Sequence, residues 1–200
     1  MCERAGPAPC ASCAAGLRYA GAAAPVPGVD SVAAVFAYEG AVRDLLLGLK
    51  YRNRRDALDW LADHLARVAP PGFDTVTWAP TSAARAGRRG YDQAELLARR
   101  VAHVSHRPVR SMLRRSTRVA QTGLDGAARR HGLVFSPRTS RVFPSWRPPP
   151  SRVLLVDDVT TTGATLTAAA AALRQVGAVE VHAVVVAQTP QHRAARAWQA

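Results

Sequence analysis

The sequence predicts an α/β fold in which a mainly parallel β-sheet is flanked by helices. Short apolar segments alternate along the chain with longer segments whose leucines or alanines recur at helical spacing. Alternation in this order is typical of β-α-β units. The apolar run at residues 153–156 is the clearest strand, because a strand buried on both faces of a sheet needs no polar alternation.

Each element has its own signal. The strands hold β-branched and aromatic residues, whereas the helices carry one apolar face and end at a proline pair or a glycine. The predicted strands are residues 31–38, 74–79, 153–156 and 181–187, and the predicted helices are residues 42–51, 56–68, 92–104 and 164–176. Residues 81–90 and 105–150 lack periodicity, so both are predicted to be irregular, the longer one as a mobile functional loop or a linker.

Composition and charge narrow the classes of partner. Hydrophobic residues make up 48% of the chain, which favours a packed core over global disorder. No apolar run is long enough for a membrane span and no signal-peptide core follows the first residues, so a cytoplasmic protein is expected. The net charge of +13 favours phosphate-rich partners. A GC-rich genome would explain arginine in place of lysine, but not the excess over aspartate and glutamate.

All the cysteines lie near the amino terminus, at Cys2, Cys10 and Cys13. The last two have the C-x-x-C spacing of a zinc knuckle, but a four-cysteine site needs a second pair and only Cys2 is available. Two interpretations stay open: a degenerate or truncated zinc site, or small terminal residues without metal. We divide the chain into a cysteine-containing segment with a linker, residues 1–30, and a main domain, residues 31–200.

The strongest functional signal follows the apolar run at residues 153–156. Asp157 and Asp158 stand directly at its carboxyl end, where ligands bind in open α/β sheets. Adjacent carboxylates repel each other, and ribose hydroxyls with a hydrated Mg²⁺ would relieve that repulsion. The following threonines and Gly163 lead into a helix whose free N–H groups favour an anion. A helix cap without a ligand needs one hydroxyl, not four threonines and a glycine.

These residues resemble a known motif. The run Asp157-Asp158-Val159-Thr160-Thr161-Thr162-Gly163-Ala164-Thr165 is similar to the binding motif for 5-phosphoribosyl 1-diphosphate (PRPP) in type I phosphoribosyltransferases. The resemblance implies the fold of that family, with Asp157 and Asp158 as catalytic residues that contact the ribose hydroxyls and Mg²⁺. It implies that the 5′-phosphate is bound by Thr160, Thr161, Thr162, Gly163, Ala164 and Thr165.

Other segments narrow the resemblance to ComF-type proteins, the competence-associated or GntX-like phosphoribosyltransferases. They are Leu-Lys-Tyr-Arg at residues 49–52, Arg-Gly-Tyr-Asp-Gln-Ala at residues 89–94, and residues 117–129 with Arg118, Gln121 and Arg129. The family usually begins with a four-cysteine zinc ribbon, which the C-x-x-C resembles in part. Asp92 stands where family members usually carry asparagine.

The resemblance also implies a diphosphate site and a lid. A loop after an earlier strand binds the diphosphate in type I enzymes, and the residues in that place here are Ala79, Pro80, Thr81, Arg85, Arg88 and Arg89. The arginines would supply charge-assisted hydrogen bonds, the alternative being a solvated basic loop. The candidate lid or hood residues are Lys50, Arg118, Gln121 and Arg129, the alternative being a disordered basic loop.

Two functions are consistent with these features. The first is an enzyme that transfers phosphoribose from PRPP, with Mg²⁺, to an acceptor that the sequence does not identify. The second is a non-catalytic PRPP-binding protein, or a competence protein associated with single-stranded DNA, which the charge of +13 would suit. We find no base-recognition element after Val186. The oligomeric state stays open, a homodimer included.

Overall fold

The computed structural model describes residues 8–117, 133–138 and 150–190. The strands are β1 (Ser31–Ala37), β2 (Thr75–Trp78), β3 (Leu113–Thr117), β4 (Leu133–Pro137), β5 (Arg152–Thr160) and β6 (Glu180–Gln188). The helices are α1 (Ala11–Ala15), α2 (Gly40–Tyr51), α3 (Leu58–Val68), α4 (Ala83–Arg89), α5 (Gln93–Val104) and α6 (Ala164–Arg174). No helix in the described part of the chain combines the length and the apolarity that a membrane crossing requires.

The main sheet has four parallel strands in the order β1-β6-β5-β2. This arrangement, with helices on both faces, confirms the predicted α/β class. Trp78, the last residue of β2, pairs with Val156 of β5. The N–H of Ala79 then donates to the carbonyl of Val156 at 3.1 Å. The residues that follow β2 therefore lie beside the residues that follow Val156, at the same edge of the sheet.

The β5 strand separates two apolar layers. Its Leu154 and Val156 face α2, α3 and α5, whose leucines form the larger part of the core. Its Val153 and Leu155 face α6 and the N-terminal segment on the opposite side. All four side chains are fully buried, which confirms that this run is a strand covered on both faces.

Two regions predicted to be irregular contain regular structure. The β3 and β4 strands form an antiparallel hairpin, so the prediction of an unstructured segment over residues 105–150 is wrong there. Leu113 and Phe135 of the hairpin are buried against α6, which gives these short strands their packing energy. The α4 helix replaces the loop predicted at residues 81–90. None of its residues is buried, so it has no apolar repeat to detect.

The described part of the N-terminal segment packs onto the main sheet. Leu17 belongs to one core layer and Val26 to the other. Backbone hydrogen bonds join Ala20 to Val35 and Ala37 to Arg18. Val26 also lies so close to Gly163 that a Cβ atom added to this glycine would come within 2.8 Å of the Val26 Cγ2 atom. The linker thus reaches the backbone of the threonine-rich turn, residues 161–163, which connects β5 to α6.

The contact between Val26 and Gly163 gives a prediction about stability. Gly163 has a φ of +77°, a conformation that alanine adopts only with strain. The added methyl group of Gly163→Ala would also collide with the Val26 side chain. We expect the free energy of unfolding to fall by about 1–2 kcal/mol, measured by urea denaturation. Adding Val26→Ala should recover part of that loss. If the double variant is as unstable as the sum of the single variants, the steric part of this account is wrong.

Candidate functional site

The acidic pair lies where β5 leaves the core. Asp157 and Asp158 are both partly buried, and the Asp157 Oδ1 atom accepts a hydrogen bond from the Asp158 N–H at 2.8 Å. The Lys50 Nζ atom, on the last turn of α2, lies 2.9 Å from Asp158 Oδ2. These two side chains are only 19% and 14% exposed. The structure therefore places Lys50, a predicted hood residue, directly on the acidic pair.

The surroundings of the acidic pair disfavour a second negative charge beside Asp158. Burial raises the pKa of Asp157 well above its usual range, and the Asp158 carboxylate raises it further. The hydrogen bond from the Asp158 backbone and the Lys50 ammonium oppose that rise in pKa without cancelling it. A further cation near Asp157 would favour its ionised form.

The donor set fits Mg²⁺. Carboxylate oxygens are hard ligands, and Mg²⁺ is usually held by one or two carboxylates, several waters and substrate phosphates. Among the described residues, no group of three or more histidine, cysteine, aspartate or glutamate side chains is placed to hold a metal. An Mg²⁺ ion here would therefore take its other ligands from water and from a bound phosphate compound.

A cleft of about 840 Å³ opens from the acidic pair. Four arginines line it, and three of them, Arg85, Arg88 and Arg89, come from α4. The fourth is Arg115 of β3, and burial lowers the pKa of its guanidinium, as does the nearby Arg85. Cationic and anionic walls thus face one cavity. A ligand that carries both hydroxyls and phosphates matches this distribution of charge.

The loop after β2 is shaped by Asp92. One oxygen of this carboxylate accepts from the Thr81 N–H at 2.7 Å, and the other accepts from the Ala94 N–H at 3.0 Å, which caps α5. Burial raises the pKa of Asp92, while these hydrogen bonds lower it. Ala79 and Thr81 line the cleft as predicted residues of the diphosphate site, but the Thr81 N–H points to Asp92. Pro80 lines an adjoining cavity of about 490 Å³.

The threonine-rich turn lies between β5 and α6. Thr160 still belongs to β5, where it pairs with Gln188, and α6 begins at Ala164. Thr161, Thr162 and Ala164 are exposed, and Gly163 is buried. Thr165 is the member of the predicted phosphate set that lines the cleft. The others surround the amino-terminal end of α6, next to the cleft.

Sequence reasoning did not predict the contacts that connect the end of α2 to the residues at the start of α5. The Tyr91 hydroxyl donates to the Leu49 carbonyl, and the Arg55 guanidinium lies 4.2 Å from the centre of the Tyr91 ring. Arg89 stacks on Tyr51 at 4.8 Å, and its Nη1 atom donates to Gln93 Oε1 at 2.9 Å. Arg89 is therefore already engaged by the protein. The segments 49–52 and 89–94, noted for their resemblance, contact each other here.

Several predicted residues are not placed in the cleft. Cys10 immediately precedes α1 and Cys13 lies in its first turn, both partly buried, and the zinc site stays a prediction. Cys2, Arg118, Gln121 and Arg129 lie outside the described residues. Arg115 was missed because the hairpin that carries it has no periodic signal, whereas Asp92 was noted only as a departure from a family pattern.

Comparison with known proteins bears on the carboxyl-terminal part of the chain. Residues 146–198, about a quarter of the chain, match the family model described as the phosphoribosyl transferase domain. The matched region contains the acidic pair and the threonine-rich turn. A search of curated proteins finds no match.

Solved structures similar to this chain include three enzymes. The allosteric regulatory enzyme of purine biosynthesis is 24% identical with a TM-score of 0.41, and the match covers 64% of this chain and 25% of that one. Glutamine PRPP amidotransferase from B. subtilis, complexed with ADP and GMP, is 23% identical with a TM-score of 0.42, covering 70% and 30%. Adenine phosphoribosyltransferase from Leishmania tarentolae is 16% identical with a TM-score of 0.40, covering 68% and 73%. The chain spans less than a third of the first two.

Proposed function

We propose that this protein is a ComF-like phosphoribosyltransferase that binds PRPP with Mg²⁺ and transfers its phosphoribosyl group to an acceptor. The observation that carries the proposal is the combination at the end of β5. Two partly buried aspartates are followed at once by a threonine-rich turn and face four arginines across one cleft. The match of residues 146–198 to the phosphoribosyl transferase domain supports it.

Different residues of the cleft would bind different parts of PRPP. Asp157 and Asp158 would accept hydrogen bonds from the ribose hydroxyls and hold Mg²⁺, while Thr165 and the amino-terminal end of α6 would bind the 5′-phosphate. Arg85 and Arg88 would bind the diphosphate. Mg²⁺ would supply charge neutralisation for the diphosphate as it leaves.

The charges of the cleft suit the bond that breaks. Cleavage between the anomeric carbon and the diphosphate oxygen leaves positive charge on the ribose and negative charge on the diphosphate. The aspartates would stabilise the former and the arginines the latter, both from preorganised positions. The acceptor would attack the anomeric carbon from the side opposite the leaving diphosphate.

The assignment of the acidic pair is tested by Asp157→Asn and Asp158→Asn. Each removes a charged oxygen ligand, so we expect PRPP affinity in Mg²⁺, measured by calorimetry, to fall about ten-fold or more. Asp63→Asn on the exposed face of α3 is the matched control. Asp157→Asn also removes a charge that burial disfavours, so its Tm should be kept or raised. Unchanged PRPP affinity in both variants would falsify the assignment.

The raised pKa of Asp157 predicts the pH dependence of binding. A carboxyl whose pKa is raised stays protonated to a higher pH, and Mg²⁺ requires the ionised form. Affinity for PRPP with Mg²⁺ should therefore fall as the pH is lowered, beginning above the usual range of an aspartate. Removing the like charge in Asp158→Asn should move the midpoint of the residual binding to lower pH. If the midpoint does not move, the pH dependence of binding does not come from Asp157, and this prediction is wrong.

A second candidate, a single-stranded-DNA-associated protein without turnover, is favoured by the adjoining cavity of about 490 Å³. Arg114 and Arg138 are exposed on its wall, and Arg99 lines it too. Diphosphate release from PRPP and Mg²⁺ in the presence of a panel of nucleobases would support the enzyme. Steeply salt-dependent binding of oligothymidylate without diphosphate release would support the second candidate.

A further inference from the structure

Lys50 is the only lysine among the 27 lysines and arginines of this chain. It occupies the last turn of α2, and its ammonium contacts Asp158 at 2.9 Å. The other 26 positions of this class hold arginine, whereas lysine stands where a cationic group forms an ion pair with Asp158. The two side chains differ in ways that matter at such a place.

An ammonium group is a compact point charge on a flexible stem, whereas a guanidinium forms a planar fork that binds a carboxylate through two parallel hydrogen bonds. A lysine therefore neutralises a carboxylate and can leave it again by rotating its side chain. The Lys50 ammonium also takes the place beside Asp158 that a cation would need. With both side chains mostly buried, that contact is screened only weakly by salt.

The backbone beneath Lys50 is anchored, so its side chain is the part that can move. The Leu49 carbonyl accepts from the Tyr91 hydroxyl, and Tyr51 stacks under Arg89. Lys50 lines the cleft together with Arg85 and Arg88. These like charges keep the ammonium on the aspartate while the cleft holds no anion. A diphosphate in the cleft would offer Lys50 a second anionic partner.

We propose that Lys50 is a displaceable counter-ion that keeps free divalent metal off the acidic pair until a sugar diphosphate brings its own metal. The identity of this sugar diphosphate as PRPP rests on the proposed function. On binding, the ammonium moves from Asp158 to the diphosphate, and the metal takes its place at the aspartates. Metal and sugar diphosphate then bind together, whereas metal alone binds weakly.

The first test measures Mn²⁺ alone, by electron paramagnetic resonance, on the protein without PRPP. Lys50→Met leaves the acidic pair without its counter-ion, so its Mn²⁺ affinity should rise about ten-fold. Lys50→Arg keeps the charge and should leave the affinity weak. Arg88→Met removes one positive charge from the same cleft and should change the affinity by less than about two-fold, because exposed charges are well screened. Equal gains in Lys50→Met and Arg88→Met, or no gain in either, overturn the proposal.

The second test keeps lysine at position 50 in the protein that is measured. Reductive methylation with ¹³C-formaldehyde labels the single lysine of this chain and the α-amino group, and the methyl signal that Lys50→Arg lacks reports the surroundings of Lys50 by NMR. We expect that signal to stay in place with Mg²⁺ alone and to shift when PRPP and Mg²⁺ are added together. A signal that does not shift while calorimetry records PRPP binding overturns the proposal.

The two tests separate this inference from the proposed function. If PRPP does not bind at all, the proposed function fails, but the Mn²⁺ measurements still show whether Lys50 excludes metal. If PRPP binds and Lys50→Met gains no Mn²⁺ affinity, the proposed function stands and the role of Lys50 is wrong.

Discussion

The arrangement of the whole site depends on one electrostatic constraint, the placement of two adjacent carboxylates on β5 directly after residues 153–156, the run that is buried on both faces of the sheet. Burial of β5 fixes where Asp157 and Asp158 stand, and burial of the Asp157 carboxyl also disfavours its charge. Cationic groups nearby offset part of this negative charge. Lys50 reaches them from α2, and Arg115 enters the same cleft from the hairpin.

A third carboxylate, Asp92, gives the opposite wall its shape. It is also placed where burial disfavours its charge, but backbone N–H groups of the β2 loop and of α5 satisfy it. The contrast with Asp157 is informative. A buried carboxylate with several backbone donors serves the fold, whereas one left beside a like charge retains a need for a cation. The number of donors therefore separates the structural acid from the candidate binding acids.

The sequence predicted the parts of the molecule whose physics is local. The β5 strand, the acidic pair and the α6 helix follow one another closely along the chain, so apolar burial and helix-start signals identify them together. The α4 helix and the β3-β4 hairpin were missed for different reasons. The helix buries nothing, and the hairpin joins Leu113 to Pro137 across a long separation in sequence. Arg115 and the contact between Leu49 and Tyr91 depend on such distant pairings, which no local pattern records.

The distribution of stability across the cleft follows from the same constraint. The aspartate wall rests on β5, whose apolar run at residues 153–156 is fully buried, so its geometry is rigid. The arginine wall rests on α4, which buries no residue and is held by the contacts of Tyr51 and Arg89 at one end. Local opening costs least where little apolar surface is lost. A rigid anionic wall opposite a loosely held cationic one would let a phosphate ligand enter from the α4 side while the acidic pair keeps its place.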